Sequence, residues 1–218
     1  QERICCESGN KDGFQRSMIG QANIFSVHGK LDKAMELYKE AELICRVLGY
    51  KDGIQLCLNK QANIHDKRDA LDKAMELYKE AELISRALVS KDGLQRSLTG
   101  QAIIHYKRGD LDEAMRLNKE VEHISLESGS KPGLQCSLGN QANIHFDRGD
   151  LDEAMRLYKK QYLICHEMGS KDGLRNSLGN QANIYYKRGD LDEAMWLNKE
   201  AEFISRELGD NNGIQQSL

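Results

Sequence analysis

Polar and apolar positions along this chain recur with a period of forty residues. The stretch QANIYYKRGDLDEAMWLNKEA, Gln181 to Ala201, has recognisable copies beginning at Gln21, Gln61, Gln101 and Gln141. Leu174, Leu178, Ala182 and Tyr185 fall at i, i+4, i+8 and i+11, so they share one face of a helix. Past a Gly-Asp step, Ala194, Asn198, Ala201 and Ser205 form a second stripe, widened by Leu191, Met195 and Ile204. Two amphipathic helices joined by a tight turn are predicted. Gly189 supplies the left-handed residue that closes the first helix, and Asp190 is placed to cap the second. Self-similarity at this period predicts a stacked array rather than a globule.

Each unit opens on KDG, at Lys11, Lys51, Lys91 and Lys171, or on KPG at Lys131. Proline is tolerated in the first turn of a helix, so Pro132 marks a helix start, and Ser90, Ser130 and Ser170 stand one position ahead as caps. First helices are expected to run from the KDG to the residue before the Gly-Asp step. Second helices are expected to run from there to the Leu-Gly endings at Leu48-Gly49 and Leu208-Gly209. Two lapses bear on the turns: Asp69-Ala70 replaces Gly-Asp in the second unit, and Val89 replaces a closing glycine. A β-branched residue is a poor left-handed terminator, so another helical turn, or a turn of different shape, is expected at Val89.

The units are placed at about 11–50, 51–90, 91–130, 131–170 and 171–210, one array over residues 1–218 with partial helices at both ends. Residues 1–10 align with Ala41 to Tyr50, and residues 211–218 repeat the opening of a first helix. A fragment of a longer array, without polar capping repeats, is expected. Ile4 and Ile214 would then be exposed or covered head to tail by a second molecule.

Composition narrows the function. Hydrophobic residues make up 39% and charged residues 30%, which suits thin wetted layers. The formal net charge is -3, so the positive footprint of a nucleic-acid binder is missing. No stretch approaches 18 apolar residues, so no membrane partner is expected. Of the six cysteines, Cys5, Cys45 and Cys165 share a slot with Ser85, Ser125 and Ser205, and Cys57 replaces Ser17, Ser97, Ser137 and Ser177. No CxxC spacing occurs. Structural thiols in a reducing, cytoplasmic location are expected.

Ala182, Tyr185, Gly189, Asp190, Ala194, Asn198 and Ala201 match, in order, the framework of the tetratricopeptide repeat family, and the chain resembles that family over essentially its whole length. The units are 40 residues rather than 34, and the usual proline after the second helix is absent. In length and in the Leu-Gly ending they look similar to the repeats of kinesin light chain. HEAT-type repeats share the length but not the GDLDEA turn. The resemblance implies an all-α, right-handed solenoid of helix-turn-helix repeats.

Candidate chemistry is sparse. His65, His105 and His145 recur at one repeat position, and helix axes 8–10 Å apart keep them from converging on zinc, whose bonds are about 2.0–2.1 Å, so packing histidines and no metal are expected. The acidic pairs of LDEA lie in a first helical turn, where they favour the positive dipole end. No phosphate loop, cofactor motif or nucleophile-base pattern is present, so no catalysis is expected. Gln21, Gln61, Gln101, Gln141 and Gln181 are expected to lie between helices and satisfy polar groups of a neighbour. Trp196, in a slot filled elsewhere by Glu36, Glu76, Arg116 and Arg156, is expected on the surface, incidental or marking a contact.

The resemblance places the first helices along a concave face. The residues matching that lining are Arg16, Asn23, Asn59, Lys60, Asn63, Arg96, Tyr106, Lys107, Asn140, Asn143, Phe146, Asn176, Asn180, Asn183, Tyr186 and Lys187. Asparagine offers both a donor and an acceptor to an extended backbone, and Asn23, Asn63, Asn143 and Asn183 recur at one position, interrupted by Ile103. Rungs 8–10 Å apart meet about every third residue of an extended peptide. The resemblance thus implies a scaffold that binds a protein or peptide in that groove. The alternatives are an ordinary solvated face, a self-associating array, or the sensor region of a larger multidomain protein.

Overall fold

The computed structural model describes residues 11–213. Ile4, Cys5, Cys6 and Ile214, and with them the expected partial helices, lie outside the described residues. Ten helices and no strand occur among the described residues: α1 Lys11–Val27, α2 Leu31–Val47, α3 Lys51–Lys67, α4 Leu71–Ala87, α5 Lys91–Lys107, α6 Leu111–Ser128, α7 Lys131–Arg148, α8 Leu151–Glu167, α9 Lys171–Arg188 and α10 Leu191–Gly213. They form an all-α repeat solenoid, divided into two compact units, residues 1–108 and 109–218.

In the first unit α1 packs on α2 and α3 on α4, each as a hairpin, while α2–α3 and α4–α5 contacts stack the layers. The second unit has the same logic, with α7–α8 and α9–α10 as hairpins and α6–α7 and α8–α9 contacts between them. Small residues set the approach distance. Ala22, Ala34, Ala62, Ala74, Ala102, Ala114, Ala142, Ala154 and Ala182 are fully buried, and Ala194 nearly so. Large side chains then fill the layers, among them Tyr38, Met35 and Ile64 in the first unit and Leu138, Tyr158 and Ile184 in the second.

The helix starts fall where KDG and KPG predict them. Ser90, Ser130 and Ser170 each accept a bond from the backbone N–H three residues on, at 3.3 Å. The glycine of the motif serves close packing. A Cβ on Gly173 would overlap Cys165 Sγ, and one on Gly53 would overlap Cys45 Sγ. That contact explains why the cysteine slot admits only Cys or Ser. Cys45, Cys57 and Cys165 are buried free thiols.

The turns correct two expectations. Val89 neither prolongs α4 nor changes the turn: it adopts φ 54 and closes the helix as the glycines do. Val89 N–H donates to Arg86 O at 3.2 Å and Ser90 N–H to Ser85 O at 2.9 Å, the paired bonds also made by Gly49 and Tyr50. Asp69 repeats the arrangement at φ 58. Stacking of α5 on α4 fixes the turn geometry, and local backbone preference yields to it. At the other end α10 passes through Leu208-Gly209 to Gly213. A glycine costs only about 1 kcal/mol inside a helix, so Gly209 does not by itself end α10.

Between repeats the polar residues form ladders. Gln61, Gln101 and Gln141 donate to Glu42, Glu82 and Glu122 on the preceding second helix at 2.6, 2.6 and 2.7 Å, as expected of glutamines lying between helices. Tyr162 takes the glutamate's place for Gln181, which bonds Ser177 Oγ instead. The aspartate of LDEA, and of LDKA in the first two repeats, does more than complement a dipole. Asp32, Asp72, Asp112 and Asp152 each pair with an arginine of the next repeat, Arg68, Arg108, Arg148 and Arg188. Asp110 caps α6 through Glu113 N–H at 3.5 Å, whereas Asp150 makes no cap bond and lies 3.4 Å from His145 Nδ1. Among the described residues no helix is long and apolar enough to cross a membrane, and no cluster of metal-ligating side chains occurs.

Candidate functional site

The recurrent asparagines of the first helices are held by tyrosines of the second. Tyr38 donates to Asn23 Oδ1 at 2.7 Å, Tyr78 to Asn63 Oδ1 at 2.5 Å and Tyr158 to Asn143 Oδ1 at 2.5 Å, each across fifteen residues of one hairpin. The tyrosines are buried, and burial, with Cys57 nearby, pushes the Tyr38 phenol up to about 12. Burial pushes Tyr78 higher still, with a smaller contribution from Asp66. The Tyr38 and Tyr78 phenols therefore keep their protons, and each of the three hydroxyls fixes a carboxamide, whose NH2 remains as the outward group. This alters the expected chemistry: at these three rungs the amide is a donor held in place, rather than a donor and acceptor equally available.

In the first unit Arg16, Asn63, Arg96 and Lys107 are exposed, and Asn23, Lys60 and Tyr106 half-buried. Lys107 Nζ pairs with Asp66 at 2.7 Å. The Lys60 ammonium is held below its usual range by burial, then by Arg96 and Lys67. Asn59 is a correction: it is only 2% exposed, its Nδ2 bonds Gln55 O at 2.9 Å, and it does not line a groove. Its helical position faces α4 and is filled by Ile19 in the first repeat, an apolar residue at the same buried place.

In the second unit five of the expected residues come together. Asn140, Asn143, Asn176, Asn180 and Asn183 line a cleft of about 680 Å³ between α7, α8, α9 and α10. Phe146 lies next along α7 with Lys187 Nζ 3.9 Å from its ring centroid, and Tyr186 is exposed. Four further lining residues escape the repeat pattern as read from the sequence: Gln135, Gln161, Arg175 and Asn198. Two are departures from the unit: Gln161 stands where Ala41, Ala81 and Ala201 occur, and Arg175 where Gln15, Gln55, Gln95 and Gln135 occur, while Asn198 shares with Asn118 a slot that is tyrosine at Tyr38, Tyr78 and Tyr158. Comparing the repeats slot by slot is the signal that finds these.

The cleft is electrically quiet. Arg175 is 3.4 Å from Asp172 and donates to Asn176 Oδ1 at 3.2 Å, so its charge is compensated locally. Cys136, also in the lining, is kept a neutral thiol by burial. Asn140 Nδ2 donates to the buried Asn118 at 3.1 Å, leaving its carbonyl uncommitted. A wall of carboxamides suits uncharged hydrogen-bonding ligands. A second, apolar cleft of about 380 Å³ lies between Tyr162, Leu163, Trp196 and Leu197, and Trp196 is 64% exposed, as expected.

Two tetratricopeptide repeat family models match residues 133–206 and 95–117, and a PPR repeat model matches residues 22–43. No curated protein matches significantly. Among solved structures the chain is similar to BtubC (BKLC) from P. vanneervenii, 18% identical, covering 95% of this chain and 86% of that one with a TM-score of 0.78. It is also similar to the nearly identical repeats of a putative kinesin light chain from Podosopora anserina, 19% identical over 89% of this chain and 96% of that one, TM-score 0.66. A Rap protein complexed with competence and sporulation factor is 15% identical, with a TM-score of 0.79 over 89% of this chain and 54% of its own length. Repeat framework, hairpin geometry and family match agree: residues 95–117 and 133–206 are tetratricopeptide repeats, set in an all-α repeat solenoid.

Proposed function

We propose that this chain is a non-enzymatic interaction scaffold that binds an extended peptide or partner segment through the asparagine-bearing face of its first helices. The observation that carries the reading is the cleft of the second unit, where Asn140, Asn143, Asn176, Asn180 and Asn183 surround a cavity of about 680 Å³. A peptide main chain presents one N–H and one C=O per residue, and a wall of carboxamides matches both without requiring a particular side chain. Each bond contributes about 0.5–1.5 kcal/mol net, so several rungs acting together are needed for useful affinity. Lys187 on Phe146 and the exposed Tyr186 flank the cleft and offer side-chain selectivity. Two similar structures, a Rap protein with competence and sporulation factor and the Rap regulator of plasmid pLS20 with the Phr* peptide, hold ligands named as a factor and a peptide.

The test is selection of displayed random peptides against the whole chain, repeated with Asn180→Ala and Asn183→Ala together. Neither asparagine is pinned by a tyrosine, so the substitutions leave the hairpin cores intact. Recovered peptides should lose affinity at least tenfold on the double variant. No recovered peptide, or peptides indifferent to both changes, would remove the cleft from the account.

A further inference from the structure

Beneath the asparagines of the second unit lies a polar group that the fold leaves unsatisfied. Gln161 lines the cleft from α8 and is 8% exposed, and its Oε1 is buried without a hydrogen-bond partner. Its Nε2 has one bond, to Gln135 Oε1 at 3.4 Å, and that same oxygen also receives the Cys165 thiol at 3.4 Å. The carboxamide is thus tethered by one long bond from its nitrogen. Gly139 faces it: a Cβ there would overlap Gln161 Nε2, so only glycine leaves room for the glutamine. Packing does not require this residue, since Ala41, Ala81 and Ala201 fill the same slot in other repeats and are themselves buried.

A buried acceptor without a donor is costly to keep, and it discriminates sharply between ligands that can and cannot supply the donor. The neighbouring groups narrow the donor's type. Asn140 gives one N–H to Asn118 and keeps its carbonyl open, whereas Asn143 accepts from Tyr158 at its carbonyl and keeps both N–H groups. The open Gln161 and Asn140 carbonyls can accept the two N–H groups of a primary carboxamide while the Asn143 NH2 donates to its oxygen, and because Asp172 and Arg175 offset each other the cleft favours such a neutral group over a charged one. We infer that the cleft of the second unit contains a subsite, built on Gln161, for the carboxamide side chain of an asparagine or glutamine in the bound peptide. The inference rests on the peptide-binding reading above and adds a side-chain preference to it.

The test uses peptides recovered from selection on the whole chain, synthesised with Gln, Glu or Met at the enriched position, and titrated by fluorescence anisotropy. The natural sequence should prefer Gln to both alternatives about five- to tenfold, the effect of one satisfied bond. Gln161→Ala, which restores the residue of the other repeats, should retain binding of the Met peptide and lose the preference. Gln161→Glu should move the preference to Lys or Arg. Peptides that bind with no carboxamide position, or whose Gln preference survives Gln161→Ala, overturn the subsite alone. A selection that yields no peptide overturns the peptide-binding reading and the subsite with it.

Discussion

The Tyr158 hydroxyl donates to Asn143 Oδ1 at 2.5 Å, so a residue of the buried layer sets the orientation of a residue in the cleft. Tyr158 is 2% exposed and Asn143 lines the cavity. Core and surface are therefore coupled through one hydrogen bond in each tyrosine-bearing hairpin. Tyr158→Phe keeps the ring in the core and removes only the hydroxyl. Stability should fall by about 0.5–1.5 kcal/mol, read from the denaturation midpoint, and the Asn143 side-chain amide should exchange conformers by NMR. Asn143→Ala should cost more than Tyr158→Phe, because it strands the buried phenol.

Val89 holds a left-handed backbone at a position where Gly49, Gly129 and Gly169 occur in other repeats. That conformation costs a residue bearing Cβ about 1–2 kcal/mol, partly offset by the greater unfolded-state freedom of glycine. Val89→Gly should therefore stabilise the chain by up to about 1 kcal/mol. Its exposed side chain gives up no packing. A lower midpoint in chemical denaturation would show that the turn does not carry the strain.

Ala154 is fully buried where α7 and α8 meet. Ala154→Leu should overpack the hairpin and cost about 1–3 kcal/mol. An unchanged midpoint would contradict the close approach of the two helices.

Alkaline pH should destabilise the chain in a defined window. Burial, and to a lesser extent Cys45 and Glu42, pushes the Cys57 thiol up to about 12, from an ordinary value of 9.0, and Tyr38 moves from 10.0 to about 12. Above about pH 9 the unfolded chain releases these protons while the folded chain retains them, so the unfolded state gains. Stability is fully present below about pH 9 and declines through about 12. Cys57→Ser, which restores the residue of Ser97, Ser137 and Ser177, should remove the earliest part of that decline in pH-dependent thermal melts.

Much of the fold is legible in the sequence because the repeat prints its own geometry. Ala194 and its counterparts announce close helix contacts, Pro132 a helix start, and Gly189 a left-handed turn, each through a local rule that does not depend on the rest of the fold. Val89 escapes those rules because stacking overrides its backbone preference. Residue type points Asn59 to the groove, while its helical position turns it to the interior. Gln161 and Arg175 are hard to foresee because a repeat pattern draws attention to what recurs, and these two enter the cleft from slots that alanine and glutamine fill elsewhere. The tyrosine–asparagine bond is invisible for another reason: its two residues lie on different helices, fifteen positions apart, and meet only once the hairpin closes.

If the carboxamide cleft of the second unit receives a peptide, its side-chain amides must report the event. The most direct measurement is a ¹H–¹⁵N NMR titration of the whole chain with a selected peptide, following those amides. The NH2 resonances of Asn143, Asn180 and Asn183 are predicted to shift together and saturably, with Gln161 among them. Shifts confined to the apolar cleft, at the Trp196 indole and the residues around Leu163, with these amides unmoved, would contradict peptide binding in the carboxamide cleft.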